Sequence, residues 1–174
     1  ECTVLMWCNS LLNHSLAYIQ LVHASSPCPL PIYNLSFVAA ALASGSGVTA
    51  KPVVYIIKDR IPGDWQKYIV NSTAIPLISK DDPEYYRALF MSFIQHVQFE
   101  KTDGLAFISD WQGVGNLLSD LQLMTHPLKL AAMHEALSTE SALNLYGDGN
   151  LPAAFMRFPE EHICNEYCTW AGLP

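Results

Sequence analysis

Three side chains that commonly bind metal ions lie close together near the end of the sequence, at His162, Cys164 and Cys168. Zn²⁺ in proteins takes four ligands of this kind at about 2.0–2.3 Å in a tetrahedron. The two cysteines are four residues apart, so on a helix they would share one face, which His162 would join from the helix entry. The segment predicts a metal site whose fourth ligand comes from elsewhere. The alternative is two buried thiols without a metal.

A second group of polar side chains follows a short apolar segment, at Asp110, Gln112 and Asp120. Phosphoryl transfer needs Mg²⁺ and a group that positions or deprotonates the nucleophile, and Mg²⁺ prefers such oxygen ligands. The segment Gly147-Asp148-Gly149-Asn150 is rich in glycine, which lets backbone N–H groups approach a phosphate. The alternative for Asp110 and Asp120 is that they are ordinary loop carboxylates. The alternative for Gly147 to Asn150 is that they form an ordinary turn.

Composition excludes several classes of function. The chain has 174 residues, of which 51% are hydrophobic and 14% charged, with a formal net charge of −7. A nucleic-acid-binding surface needs a basic patch, and a transmembrane helix needs an apolar run of about 18 residues; neither is present. Five irregularly spaced cysteines indicate a reduced, intracellular protein of the cytoplasm rather than a disulfide scaffold.

Besides a short helix after Asp64, four helices are predicted from apolar periodicity and from helix-start signals. The first covers Glu1 to about Val22. The second begins at Asp81-Asp82-Pro83-Glu84 and has His96 at its end. A third is predicted from Leu128 to Leu137, and the last opens at Pro159-Glu160-Glu161 and carries the two cysteines of the metal motif.

Two segments rich in apolar or β-branched residues predict buried strands, Val53–Ile57 and Leu105–Ile108. The segment Leu35–Ala43 fits a strand or a short helix, and Ser44–Gly47 is predicted to be a loop. Pro62-Gly63-Asp64 predicts a turn, with Asp64 capping a short helix as far as Tyr68.

The order of the motifs resembles that of a known family, the alpha-type protein kinases, and most of all its fungal members. Leu105 to Gly115 resembles the family's strand followed by D-x-Q-G-V-G, and Ser119-Asp120 resembles the T-D that follows. Gly147 to Asn150 resembles the family's G-x-G-N loop, and His162 to Cys168 its zinc signature. The resemblance runs from Glu1 to Pro174.

The resemblance implies an α+β, protein-kinase-like fold, namely the C-terminal lobe of an alpha-kinase with a structural zinc site. Residues 1–174 would form one partial alpha-type kinase domain that lacks most of the small N-terminal lobe, including the ATP-binding lysine.

The resemblance also implies roles for individual residues. Asp110 would be the catalytic aspartate, Gln112 and Asp120 would hold Mg²⁺, and Gly147 and Gly149 would contact the peptide substrate. The implied zinc ligands are His96, His162, Cys164 and Cys168. With four protein ligands the zinc would be structural rather than catalytic.

The expected function is ATP-dependent phosphorylation of Ser or Thr in a protein substrate, with Mg²⁺, ATP and structural zinc, and with neither nucleic acid nor membrane as partner. The alternative is an inactive pseudokinase or a zinc-stabilised protein-binding module. Two positions depart from the family pattern: Lys58 stands where the adenine-contacting hinge often has acidic residues, and Leu121 follows Asp120 where Pro is common.

Overall fold

The computed structural model of the protein describes residues 2–45, 53–128 and 146–174. Its helices are α1 (Cys2–Ser25), α2 (Tyr85–Lys101), α3 (Pro152–Glu161) and α4 (Glu166–Ala171). Its strands are β1 (Ser36–Phe37), β2 (Ala40–Gly45), β3 (Val53–Lys58), β4 (Gln66–Lys67), β5 (Ala106–Ser109), β6 (Gln112–Val114), β7 (Leu117–Leu118) and β8 (Gln122–Thr125). The predicted α+β class is confirmed.

Helix α2 lies at the centre of the core. Every residue from Phe90 to Gln98 is buried, so this helix has neighbours on all sides. Helix α1 covers one side of it with residues at helical spacing. The buried residues of α1 are Val4, Cys8, Leu12, Ser15 and Ile19. The predicted first helix is confirmed. Leu21, one of the apolar residues whose near-helical spacing predicts it, is nevertheless 71% exposed.

The start of α2 is fixed by the acidic residues that precede it. Asp82 Oδ1 accepts the backbone N–H of Glu84 at 2.8 Å, and the Tyr68 hydroxyl donates to Glu84 Oε2 at 2.7 Å. The helix itself begins at Tyr85, just beyond the predicted start signal.

The strands form three small sheets. The largest has the order β1-β7-β6-β4, with β1 parallel to β7 and the other pairs antiparallel. Strands β5 and β8 form an antiparallel pair, with Ala106 opposite Thr125 and Ser109 opposite Gln122. Strand β5 packs against α2, and Phe107 to Ser109 are buried. The predicted strand at Leu105–Ile108 is therefore confirmed as a buried strand.

The predicted strand Val53–Ile57 is also a strand, but the prediction of burial was wrong. It pairs with β2 in a two-stranded sheet, and Val53, Val54, Tyr55 and Ile57 are each 50–59% exposed. β-Branched composition indicates strand structure and does not reveal which faces are covered.

Three other local predictions are corrected. Leu35–Ala43 contains β1 and the start of β2, and Ser44 and Gly45 continue β2 rather than forming a loop. The helix predicted after Asp64 is absent from this described stretch, because Gln66 and Lys67 pair with β6 instead. Residues 46 and 47 of the predicted loop, and all but Leu128 of the helix predicted to Leu137, lie outside the described residues.

The final predicted helix is two helices. Pro159 lies inside α3, the chain leaves the helix at His162, and α4 begins after Asn165, whose side chain accepts the Tyr167 N–H. In the described part of the chain, none of the helices combines the length and apolar character needed to cross a membrane.

Candidate functional site

The segment after β5 is attached to α2 through two buried glutamines. Gln95 Nε2 donates to the carbonyl oxygen of Ile108 at 2.8 Å, and the Ile108 N–H donates to Gln98 Oε1, also at 2.8 Å. The buried indole N–H of Trp111 donates to the same carbonyl at 3.0 Å. Side chains thus hold both backbone polar groups of Ile108, which fixes the strand two residues before Asp110.

Asp110 follows the strand in the left-handed backbone conformation, with φ of 58°. Aspartate tolerates this conformation better than most residues, because its short side chain can bond locally. The carboxylate is 14% exposed, and each of its oxygens has a partner. Lys67 Nζ lies 2.9 Å from Oδ1, and Gln112 Nε2 donates to Oδ2 at 3.0 Å.

Asp120 has a similar environment, with φ of 57°. Lys58 Nζ forms an ion pair with its Oδ1, and the Ser119 hydroxyl donates to its Oδ2 at 3.3 Å. Gln112 Nε2 also donates to the backbone carbonyl of Asp120 at 3.1 Å. The amide of Gln112 therefore joins the two aspartates.

The structure brings together the three residues singled out from the sequence, and it adds two lysines that were missed in this role. Lys67 reaches Asp110 because β4 pairs with β6, which places Lys67 opposite Gln112. The only sequence signal was a lysine among the aromatic and apolar residues Trp65, Tyr68 and Ile69. From the sequence, Lys58 was recognised only as a lysine where the family's hinge often has acidic residues, and its pairing with Asp120 was not predicted.

The Gly-rich loop lines the same cavity as Lys58 and Asp120, a space of about 250 Å³. Gly147 has φ of 71°, and a Cβ added there meets no atom of the described residues within 4 Å. At Gly149 a Cβ would lie 2.0 Å from Gln122 Oε1, so the Gln122 side chain lies directly against this glycine and would have to move to admit a larger residue. The Asn150 side chain holds the loop to the end of β8 by bonding both the N–H and the hydroxyl of Thr125, at 2.9 and 2.6 Å.

The metal-binding motif meets α2 at His96. The four candidate ligand residues each offer one ligand atom, and these atoms lie within 4.8 Å of one another. They are His96, His162, Cys164 and Cys168. The prediction that both cysteines share one helix face was wrong. Cys164 lies in the link between α3 and α4, and Cys168 lies on α4, so the break after His162 lets both sulfurs approach one point.

The distances fit a tetrahedral ion. Tetrahedral zinc places nitrogen and sulfur ligands about 3.6 Å apart. Cys168 Sγ lies 3.6 Å from His162 Nε2, and Cys164 Sγ lies 3.7 Å from His96 Nδ1. The other ring nitrogens have outer partners, since His162 Nδ1 lies 3.5 Å from the Ser92 hydroxyl and His96 Nε2 lies 3.9 Å from Glu100 Oε1.

Burial sets the protonation of this cluster. Burial, and secondarily the nearby His96, lowers the pKa of His162 to about 4. Burial also lowers the pKa of His96, against the opposing effect of Glu100. Both imidazoles are therefore neutral near pH 7, as metal ligands must be. Burial raises the pKa of Cys168 to about 12, so the protein without a metal keeps this thiol protonated.

Comparisons with known proteins agree on one family. A sequence model of the Alpha-kinase family matches residues 19–168. The eukaryotic elongation factor 2 kinase of Caenorhabditis elegans is 28% identical over 121 residues, which is 69% of this chain and 13% of that protein. The chain thus spans a small part of that relative. The closer likeness to fungal members stays a prediction.

Solved structures show the same fold. The alpha-kinase domain of myosin heavy chain kinase A in complex with AMP has a TM-score of 0.63 at 20% identity, covering 98% of this chain and 57% of that one. The same domain in complex with AMP-PNP has a TM-score of 0.63 at 19% identity, covering 98% and 54%. At this level of identity the likeness concerns the fold, and the chain spans just over half of the solved domain. From the sequence match over residues 19–168, together with this fold, we conclude that the chain belongs to the alpha-kinase family.

Proposed function

We propose that this chain is the large-lobe portion of an alpha-type protein kinase that transfers a phosphoryl group from ATP to Ser or Thr of a protein substrate. The observation that carries the proposal is the convergence of Asp110, Gln112 and Asp120, with Lys67, at one end of a buried strand. Family membership supports it, as do the AMP and AMP-PNP bound to the solved relatives. We assign residues 1–174 to a single kinase domain, of which they form a part. We also propose that this kinase acts in the cytoplasm.

Asp110 is the group placed to orient or deprotonate the substrate hydroxyl. Two hydrogen-bonding partners hold its carboxylate, and the Lys67 ammonium beside it puts positive charge where phosphate charge develops. The oxygens of Gln112 and Asp120 have the chemistry that Mg²⁺ selects. When bound, Mg²⁺ would neutralise charge on the nucleotide phosphates.

The peptide side of the site is assigned to Gly147 and Gly149. Their loop shares a cavity with Asp120, and no other part of the described chain fills the space beside the left-handed backbone of Gly147. Backbone groups of such a loop can bond an extended peptide without a side chain in the way.

The test is Mg²⁺-dependent transfer of the ATP γ-phosphate by the full-length protein and by its Asp110→Ala variant. We expect a loss of about 10²-fold or more in kcat, the scale of acid–base catalysis. Asp81→Ala removes an exposed carboxylate before α2 and serves as the matched control. Equal transfer by the Asp110→Ala variant and the unaltered protein would contradict the assignment.

The second candidate is a pseudokinase or a zinc-stabilised protein-binding module. One observation favours it: a lysine ammonium is already paired with each of the two aspartates, Lys67 with Asp110 and Lys58 with Asp120. Nucleotide binding without transfer, or no nucleotide binding at all by a folded full-length protein, would select this candidate.

We also propose that the four-residue cluster holds one structural zinc ion. All four ligands come from the protein and leave no position for water, so the ion would join α2 to the α3–α4 link. Metal analysis of the purified protein should find about one zinc per chain. The paired substitutions Cys164→Ser and Cys168→Ser should remove it, whereas zinc retained by that variant would contradict the ligand assignment.

A further inference from the structure

Lys58 lies at the end of β3, and its ammonium group pairs with Asp120, 62 residues further along the chain. The Ser119 hydroxyl bonds the second carboxylate oxygen, and Gln112 Nε2 bonds the backbone carbonyl. Every oxygen of Asp120 thus has a donor from the protein. Asp120, which is expected to bind a divalent cation, is thus paired with a positively charged side chain of the protein, that of Lys58.

The pair is placed where it can break. The side chain of Asp120 is 52% exposed and that of Lys58 is 22% exposed, so the ion pair is partly hydrated and contributes little to stability. Both residues line the cavity of about 250 Å³, which offers space for the flexible lysine side chain in another position. Backbone pairing of β3 with β2 does not depend on where that side chain points.

We propose that the ammonium group of Lys58 competes with a divalent metal ion for the carboxylate of Asp120. The metal would then bind only when Lys58 is displaced from that carboxylate. This inference rests on the proposed function in taking Asp120 as a metal ligand. The ammonium and a divalent ion repel each other and therefore compete for the same carboxylate. Lys58 would therefore weaken metal binding at Asp120.

The two lysines of the site, Lys58 and Lys67, pair with different aspartates. Lys67 pairs with Asp110, the residue placed at the substrate hydroxyl, and leaves the expected metal ligand Asp120 untouched. Only Lys58 pairs with Asp120 in the described residues of this site. Charge removal at position 58 should therefore free the carboxylate of Asp120 and leave the Lys67–Asp110 pair in place.

The experiment measures Mn²⁺ binding to the full-length, zinc-saturated protein by the loss of the electron paramagnetic resonance signal of free Mn²⁺, without nucleotide. Lys58→Gln is expected to lower the Mn²⁺ Kd about tenfold, the combined effect of a broken partly exposed ion pair and a removed repulsion. Lys58→Arg keeps the charge and should retain the weak affinity. Lys80→Gln removes a lysine in a different groove and should change nothing.

The double variant Lys58→Gln with Asp120→Asn locates the effect. Loss of the gained affinity in this variant supports the proposal. The proposal is overturned if the gain in Mn²⁺ affinity persists in the double variant, or if the Mn²⁺ Kd is unchanged in a folded Lys58→Gln protein. It is also overturned if every variant, including Lys58→Gln, loses the weak Mn²⁺ binding of the unaltered protein. Transfer assays on the same proteins separate the two proposals. A tenfold gain in Mn²⁺ affinity without phosphate transfer contradicts the proposed function alone, and transfer without the gain contradicts the role of Lys58 alone.

Discussion

Gln98 accepts the backbone N–H of Ile108 through its side-chain oxygen at 2.8 Å, in the middle of the strand that precedes Asp110. Gln95 bonds the carbonyl of the same residue, and His96 lies between the two glutamines on α2. One buried helix therefore carries a ligand of the candidate metal site and the supports of the candidate catalytic strand. A displacement of α2 would reach both sites.

Replacing Gln98 should destabilise the fold. Gln98→Met leaves the buried N–H of Ile108 without a partner, which costs about 1–3 kcal/mol. The Gln98 Nε2 atom is itself buried and finds no partner among the described residues. Its removal therefore offsets part of the loss, and we expect about 1–2 kcal/mol in urea unfolding. Gln20→Met, at an exposed position on α1, is the control. Equal stability of the two variants would show that the Ile108 bond contributes nothing.

Gly113 is required by the close approach of β6 to β7. Its φ is 156°, and an added Cβ would lie 2.1 Å from the carbonyl oxygen of Leu117. Gly113→Ala should therefore cost about 3 kcal/mol or more, because backbone rather than a flexible side chain must move. Gly115→Ala is matched to it: φ is also positive, at 58°, but within the described ranges no atom lies within 4 Å of the added Cβ. Its cost should be about 1 kcal/mol, and denaturant unfolding of both variants measures the difference.

The sequence was informative where local pattern and tertiary role agree. The apolar segment ending at Ile108 predicted a buried strand, and β5 is one. The segment at Val53–Ile57 has the same kind of composition, yet lies in an exposed hairpin. Composition cannot distinguish the two, because burial depends on which element packs alongside, and that is set by distant residues.

In the candidate site, too, the residues identified by local sequence motifs were predicted, and those positioned by tertiary contacts were not. Motif order located Asp110, Gln112 and Asp120, whereas Lys67 was missed, because its position depends on the pairing of β4 with β6. The four candidate metal ligands do lie together, as expected, but the expected helix geometry was wrong. A continuous helix was expected, and the chain instead leaves α3 at His162 and starts α4 after the cap at Asn165. The Asn165 side chain that makes this cap is also bonded to the Leu89 carbonyl on α2 at 3.0 Å, a tertiary contact that local sequence does not encode.

Glu161 should make stability depend on pH. Arg157 donates to its Oε1 at 2.7 Å and the Ala74 N–H donates to its Oε2 at 3.2 Å, which lowers the pKa of Glu161 below 4.5. Because the folded-state pKa is the lower one, the carboxylate stabilises the fold above about pH 4.5, and that stabilisation is lost as the pH falls through the folded-state pKa.

Glu161→Gln should therefore lower the free energy of unfolding at pH 7, by less than about 1 kcal/mol because the ion pair is partly exposed. The difference from the unaltered protein should vanish well below pH 4.5. Glu160→Gln, at the exposed neighbouring position, should show no difference at either pH. A deficit in Glu161→Gln that stays constant with pH would exclude this carboxylate as its source.

Removal of the proposed zinc ion should destabilise the fold. The cluster joins α2 to the C-terminal segment, and structural zinc contributes directly to folding free energy. Cys164 is exposed, so a chelator can reach the site. We expect a chelator to lower Tm by about 10 °C, which corresponds to a few kcal/mol in a domain of this size.

The matched variants separate metal loss from thiol loss. The Cys164→Ser and Cys168→Ser double variant should have a low Tm that the chelator does not change. Cys2→Ser, on α1 and away from the cluster, should respond to the chelator like the unaltered protein. A chelator response that survives in the double variant would place the metal elsewhere.

Lys67 should affect catalysis more than substrate binding. Its ammonium lies 2.9 Å from Asp110 Oδ1 and is 39% exposed, so it can orient the carboxylate and also face an incoming phosphate. Lys67→Met removes both effects, and by the usual scale of a lost electrostatic stabiliser kcat for phosphate transfer by the full-length protein should fall about 10²-fold. KM for the protein substrate should change little, because the lost interaction acts on the transferring group. Lys80→Met controls for the loss of one positive charge, and a Lys67→Met enzyme with normal kcat and raised KM would instead assign Lys67 to substrate binding.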